Sequence, residues 1–307
     1  MAMLTEMAGA GRPRGLAMNN VLTVGDIGVQ RIIEIEGPFL PALDVFPTLS
    51  AELLDENRHW LAPKALAQDD RLVFCFQSYV VRTPHHNVLV DTCIGNDKER
   101  PTRPQWNLKR DETFMRGLAA AGLSVDDIDF VMCTHLHVDH VGWNTRLQNG
   151  RWTPTFPNAR YLISKGEFDF WAGEHAKTPL PHFGDSVLPV VEAGRAEWVR
   201  DDHALDDHVR LLSTPGHTPH HVAVCFGRDG DDAVMPGDLI HSPLQARYPE
   251  LSPRFDVDGD VAAKTRRSFL ERYCDTHTLC CTAHFPSPSI GRITRRDDGF
   301  RCDFVEA

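Results

Sequence analysis

The chain has 307 residues, 42% hydrophobic and 24% charged, which is ordinary globular usage and excludes a disordered, collagen-like or coiled-coil protein. Its 32 Lys and Arg stand against 43 Asp and Glu, a net charge of −11, and such a field repels a phosphate backbone, so no nucleic-acid partner is expected. No run of about 20 apolar residues is present, and Met1–Glu6 lacks a positive segment leading into an apolar core, so neither a membrane span nor a secretory leader is expected. Residues 1–20, rich in Gly, Ala and Met, read as a flexible N-terminal segment, and residues 21–307 as a single domain.

In chain order, Val21–Glu36 is β-branched and reads as one or two strands, ended by Gly37-Pro38-Phe39-Leu40-Pro41. Residues 42–70 read as loop and short helix. Leu72–Arg82 and Val88–Asp91 flank a Pro84–Asn87 turn and predict a hairpin. A charged, Pro-rich loop follows over 96–110, then a helix over Glu112–Ala121 closed by Gly122. Ser124–Asp127 starts a further short helix, and Phe130–Cys133 is a fully apolar strand. Asn149-Gly150 marks a polar hairpin, and Arg160–Ile163 a strand. Ser164 as N-cap with Glu167 three residues on predicts a capping box at a helix start. Strands are predicted at Val209–Ser213, Val222–Phe226, Ala233–Met235 and Leu279–Thr282, and a helix at Val261–Tyr273. Ile290–Thr294 and Phe300–Phe304 read as closing edge strands. Strands and helices interleave in both halves, which places the chain in the α/β class.

The eight cysteines show no CxxC spacing and mostly sit in apolar runs such as Leu72–Phe76. Buried, reduced thiols are the expectation, and with them a cytoplasmic protein. The sixteen histidines are the unusual feature. His135-x-His137-x-Asp139-His140 follows the Phe130–Cys133 strand directly, and imidazole and carboxylate are the donors that zinc and similar ions take. So many donors on one short loop suit two adjacent ions better than one. A solvated polar turn is the bland alternative, and chance rarely assembles these residue types so closely.

Three more strand ends repeat the logic. Val209–Ser213 runs into Thr214-Pro215-Gly216-His217, with His220 and His221 close behind. Ala233–Met235 runs into Gly237-Asp238, and Cys281-Thr282-Ala283 into His284. Each alone reads as an ordinary turn; together they gather ligand-type residues where α/β sheets collect their sites. On these motifs, from the Val88–Thr92 strand to Ala283-His284, the sequence resembles metallo-β-lactamase-fold hydrolases, and within them the N-acyl homoserine lactonases and methyl-parathion-type hydrolases.

The resemblance implies an αββα sandwich, two mixed β-sheets face to face with helices outside. It implies two divalent metal ions per chain, with zinc the expected ion. His135, His137 and His217 would bind the first, Asp139, His140 and His284 the second, and Asp238 both. Asp91 matches a position that orients a ligand. Two ions about 3.5–4 Å apart share a hydroxide that attacks an ester or lactone carbonyl, and Asp139 is the candidate proton relay to the leaving group. Cys93 stands where many relatives have Gly, and reads as a small buried residue. His241 stands where the lactonases carry a Tyr; it is a candidate hydrogen-bond donor to the oxyanion, or else a loop histidine near the surface. Phe76, Trp143, Phe168, Trp171, Phe183, Tyr248 and Phe285 are candidate pocket walls for a small apolar substrate, with Gly166–Gly184 the alternative cover of a homodimer contact. Hydrolysis of organophosphate or aryl-halide compounds on the same site, and an iron-dependent sulfur dioxygenase, are the competing readings.

Overall fold

A computed structural model describes residues 21–228 and 232–305; the expected flexible segment 1–20 lies outside them. A first sheet takes β1 (Leu22–Val24), β2 (Ile27–Pro41), β3 (Arg71–Arg82), β4 (Asn87–Val90), β5 (Phe130–Met132), β8 (Arg160–Ser164) and β9 (Ala196–Val199) in that spatial order. The small hairpin β6 (Thr145–Gln148) and β7 (Arg151–Pro154) stands apart. A second sheet runs in sequence order through β10 (Val209–Ser213), β11 (Val222–Phe226), β12 (Ala233–Met235), β13 (Leu279–Cys281), β14 (Ile290–Arg296) and β15 (Gly299–Phe304). The helices are α1 (Ala42–Val45), α2 (Ala51–Leu61), α3 (Thr113–Ala120), α4 (Lys165–Lys177), α5 (Pro181–Ser186), α6 (Leu188–Glu192), α7 (Pro243–Arg247) and α8 (Gly259–Tyr273).

Both sheets are mixed. β4, β5, β8 and β9 run parallel, β12 and β13 run parallel, and the remaining neighbours are antiparallel. Strand alternation builds the layers. In β11, Val222, Val224 and Phe226 face Val81, Val88, Val90 and Met132 of the first sheet. Ala223 and Cys225 point the other way, onto Phe269, Leu270 and Tyr273 of α8. The outer face of the first sheet, with Val80, Leu89, Val131 and Ile163, is covered by Phe114 and Leu118 of α3 and by Phe183 and Val190 of α5 and α6. The result is the expected helix–sheet–sheet–helix sandwich. Each fully buried Val or Leu contributes about 1.5–3 kcal/mol to holding these layers together.

Four expectations change. β2 does not stop at Gly37 but runs on to Pro41. β1 pairs only with Ile27–Val29, so the rest of β2 is an edge, where prolines remove no ladder bond. Its register against β3 slips between Ile33 and Ile35 and between Pro38 and Pro41. The Ser164 hydroxyl does cap Glu167 N, at 3.2 Å, but the Glu167 carboxylate turns inward instead of closing a capping box. β14 lies inside its sheet, between β13 and β15, so of the two closing strands β15 alone is an edge. Finally, α5, α6, α7 and β9 were not predicted; Pro181, Pro189 and Pro243 occupy the first turn of the three helices.

Candidate metal centre

The C-terminal ends of β4, β5, β10, β12 and β13 open onto one edge of the sandwich, and every predicted donor is there. His135, His137, His217 and Asp238 form one close group, and Asp139, His140 and His284 another. Asp238 stands between them. Its Oδ2 lies 3.3 Å from His217 Nε2 and 3.7 Å from His135 Nε2. Its Oδ1 lies 3.0 Å from His140 Nε2 and 2.9 Å from His284 Nε2. Gly237 makes the turn that presents it, at φ +53°; a Cβ there would come within 2.7 Å of His221 Nε2 and Thr134 Oγ1.

This donor set fits divalent cations. Asp238 Oδ1 is buried and makes no hydrogen bond despite its two imidazole neighbours. His137 Nδ1 faces His135 Nε2 and His217 Nε2, each at 2.9 Å. Burial pulls His135 and His217 well below the ordinary imidazole range and His137 down to about 4, so these rings are neutral and offer lone pairs. Burial also works against a charge on His140 and His284, but the Asp238 carboxylate, helped by Asp91 at His140 and by Asp139 at both, outweighs it and raises them. The same surrounding imidazoles overcome burial at Asp238 and hold it well below the usual carboxylate range. Imidazole nitrogens and an ionised carboxylate converging this closely, with Asp238 Oδ1 left without a hydrogen bond, are the donors that Zn2+-type ions take.

The His135, His140, His217 and His284 imidazoles are oriented through their remote nitrogens. His140 Nδ1 donates to Asp91 Oδ2 at 2.8 Å, and Asp91 Oδ1 accepts from Thr134 N at 2.8 Å. His135 Nδ1 lies 3.1 Å from Thr134 Oγ1, and His284 Nδ1 donates to the Cys75 carbonyl at 3.0 Å. His217 Nδ1 donates to Asp256 Oδ1 at 2.8 Å. Asp256 Oδ2 in turn meets Arg266 Nη2 at 3.2 Å, and the fully buried Arg266 also donates to the carbonyls of Leu239, Pro249 and Leu251. Burial raises the Asp256 carboxyl to about 6 against the pull of Arg266.

Of the three histidines near Pro215, only His217 joins the donors. His220 pairs with Asp201 at 2.8 Å on the outer side. His221 sits beneath the site, where its Nε2 accepts from Asp238 N at 3.1 Å. Burial holds that ring down to about 3, so the lone pair is available. Glu167 is a further residue the sequence did not reveal as a site residue. It accepts from Leu136 N at 3.2 Å, Trp171 Nε1 at 2.7 Å and Thr218 Oγ1 at 2.8 Å, tying the first histidine loop to the His217 loop. Cys93 is buried beside Ser78, 3.1 Å away, and burial keeps its thiol well above the ordinary range, so it stays protonated. His85, Asp207 and His208 also form a close group, but at the opposite end of the strands, where His85 and Asp207 face solvent.

A cavity of about 200 Å³ opens above the donors, lined by Phe39, Phe74, Phe76, Arg103, Trp106, Val138, His241 and Phe255 together with His137, Asp139, Asp238 and His284. His241 is 2% exposed, with Nε2 at 3.2 Å from Asp238 Oδ2 and its ring parallel to His284 at 5.6 Å. It is therefore in the wall of the site and not a surface histidine. Among the predicted wall aromatics only Phe76 lines this cavity. Trp143 stacks on Phe114 in the core and donates to Glu34 Oε1 at 2.6 Å. Trp171 packs edge-on against His137 from outside it. Phe168 and Phe183 pack on each other within the chain, Tyr248 bonds Asn57, and Phe285 is buried under the second sheet. Phe39, Phe74, Trp106 and Phe255 take their places: Phe39 and Trp106 because the end of β2 and the 96–110 loop, both read as plain connections, fold over the site, Phe74 from β3 and Phe255 from the segment between α7 and α8.

An N-acyl homoserine lactonase of a Bacillus species is 25% identical over 178 residues, 54% of this chain and 62% of that protein. A probable metallo-hydrolase of Methanocaldococcus jannaschii is 28% identical over 153 residues, 50% of this chain and 56% of that protein. The chain thus matches less than two thirds of the length of these relatives. Among solved structures, the hydrolase AbOPH superposes with a TM-score of 0.79 at 20% identity, covering 96% of this chain and 99% of that one. AidC, a dizinc quorum-quenching lactonase, superposes with a TM-score of 0.75 at 24% identity, covering 94% and 97%. At these identities the structural likeness establishes the fold. Residues 77–284 match the metallo-beta-lactamase superfamily; that span is more than half of the chain and holds all seven donors, and the chain belongs to that superfamily.

Proposed function

We propose that the protein is a dinuclear metal-dependent hydrolase acting on the ester or lactone carbonyl of a small substrate with an apolar body. The observation that carries this reading is Asp238, whose two oxygens face two separate groups of donors at the floor of an aromatic cavity. His135, His137 and His217 would hold one divalent ion, Asp139, His140 and His284 the other, and Asp238 both. Ions held there supply a water activated near neutral pH and a Lewis acid for the carbonyl oxygen.

The chain's own residues do the rest. Asp91, Asp256, Thr134 and the Cys75 carbonyl fix the His140, His217, His135 and His284 imidazoles, so these donors need no rearrangement during turnover. Phe39, Phe74, Phe76, Trp106 and Phe255 hold the apolar body and exclude water around the scissile bond. His241, at the cavity wall beside Asp238, donates a hydrogen bond to the carbonyl oxygen as that oxygen gains negative charge. Asp139, whose side chain is 15% exposed, takes the proton released by the attacking water and passes it to the alcohol oxygen that leaves.

The test is metal content and turnover together. Protein purified without added metal should carry about two zinc-type ions per chain and hydrolyse aryl esters or lactones, and D238A should lower both metal content and turnover. About one iron per chain with visible absorption overturns the reading in favour of redox chemistry. Wild-type metal content and turnover in D238A overturn the assignment of the centre.

A further inference from the structure

The cavity wall carries one guanidinium, and its surroundings are unusual. Arg103 lines the cavity beside Phe39 and Trp106, with its guanidinium carbon 5.6 Å from the Phe39 ring centre and 5.4 Å from that of Trp106. Those two rings lie parallel, 5.6 Å apart. Among the described residues no carboxylate and no hydrogen-bond acceptor meets the Arg103 guanidinium. The two buried arginines are different. Arg100 is bidentate on Asp185 at 2.8 and 2.9 Å, and Arg266 has Asp256. Other half-buried arginines also lack an acid, but Arg103 is the one that lines the cavity above the donors, with its guanidinium open to an external partner.

Its position is set by the loop. Arg100 pins that loop to α5 through Asp185, Asn107 Oδ1 accepts from Arg100 N at 2.7 Å, and the Arg103 carbonyl accepts from Trp106 N at 2.9 Å and Asn107 N at 2.9 Å. The turn therefore presents Arg103 and Trp106 together. Contact with aromatic faces holds a guanidinium in place without neutralising it. Its N–H edge stays free, and that edge matches a planar carboxylate with two parallel hydrogen bonds.

We propose that Arg103 binds a carboxylate carried by the substrate at a distance from the scissile bond, so that the substrate class is an ester or lactone with a flat apolar body and an anionic end. This rests on the hydrolase reading above. It adds an anionic end to the small apolar substrate expected above: the body lies among Phe39, Phe74, Phe76, Trp106 and Phe255, and the charge leaves the cavity at Arg103. Without Arg103, Asp139 and Asp238 on the cavity floor give the anion no compensating contact on the wall. A purely structural Arg103, packing the loop onto Phe39, would affect charged and neutral substrates alike.

The experiment uses the metal-loaded enzyme and two matched esters, 4-acetoxybenzoate and its methyl ester. The ratio of their kcat/KM values, compared between wild type and variant, cancels their different intrinsic reactivity. R103M should lower the carboxylate-to-methyl-ester ratio about tenfold or more, the effect of losing a charge-assisted hydrogen-bond pair, chiefly through KM. R103K should recover part of it, and the wild-type preference should shrink with added salt. Calorimetric binding of 4-hydroxybenzoate, which needs no turnover, should weaken by a similar factor in R103M. An unchanged ratio with unchanged 4-hydroxybenzoate binding overturns the role of Arg103. Failure of the wild type to cleave either ester counts against the hydrolase reading instead, and the binding arm still decides whether Arg103 holds the carboxylate.

Discussion

His217 shows how much of the centre depends on residues that touch no substrate. Its imidazole is aimed by Asp256, and Asp256 is held by the buried Arg266. Substituting Asp256 with Asn keeps the shape but weakens the acceptor that fixes the His217 tautomer. D256N should lower metal affinity about 10–100-fold, read by competition with a chelating dye; unchanged affinity would reduce Asp256 to a packing residue. H241F is the complementary case. It should keep wild-type metal content and slow turnover on a cleaved ester, and unchanged kinetics would remove His241 from the mechanism. That the seven candidate donors come together was legible in the sequence because they stand in short clusters directly after apolar strands. Asp256, His221 and Glu167 were not. Asp256 reaches His217 from 39 residues away, Glu167 reads locally as a helix cap, and only the folded contact separates His221 from its neighbour His220.

At the scale of elements, the 96–110 loop behaves as a structured part of the site. Its Lys98 is buried, donating to Thr145 Oγ1 at 2.6 Å and to the Asp185 carbonyl at 3.1 Å, with Asp185 Oδ1 3.6 Å away. Burial lowers Lys98 from 10.5 to about 7, more than Asp185 raises it. Between those values the folded chain holds fewer protons than the unfolded chain. The contribution of Lys98 to stability therefore improves as pH rises through that window, and the full penalty of burying its charge applies below it. The stability of wild type relative to K98M should rise by up to about 1.4 kcal/mol per pH unit from pH 7 to 10, measured by urea unfolding; a flat difference would mean that Lys98 keeps its charge. Most strands were legible as apolar runs between turn residues, and α8 by its spacing, with Asp258 capping Val261 N at 3.0 Å. The run of β2 through Gly37–Pro41 was not, because its proline tolerance depends on which strand fails to cover it. Nor were α5, α6 and α7, whose few residues leave no period to read.

Across the whole molecule, the centre joins the two sheets. His135, His137, Asp139 and His140 follow β5 of the first, while His217, Asp238 and His284 follow β10, β12 and β13 of the second. Ions bound across that seam act only on the folded state. Chelation should therefore lower Tm by several degrees in wild type and far less in D238A; an unchanged wild-type Tm would show that no ion bridges the sheets. The two-sheet architecture was legible through the family resemblance, and the described residues contain no helix long and apolar enough to cross a membrane. The β2 register slip has a further consequence. Between Pro38 and Pro41 it lets Phe39 reach the cavity, and Arg103 and Trp106 come from a loop that supplies no donor. On the proposed reading, Phe39, Arg103 and Trp106 shape what enters the cavity from stretches of chain that supply no donor. Selection, or a combinatorial library at positions 39, 103, 106 and 255, can redraw what the protein accepts while the donors it reacts through are inherited intact.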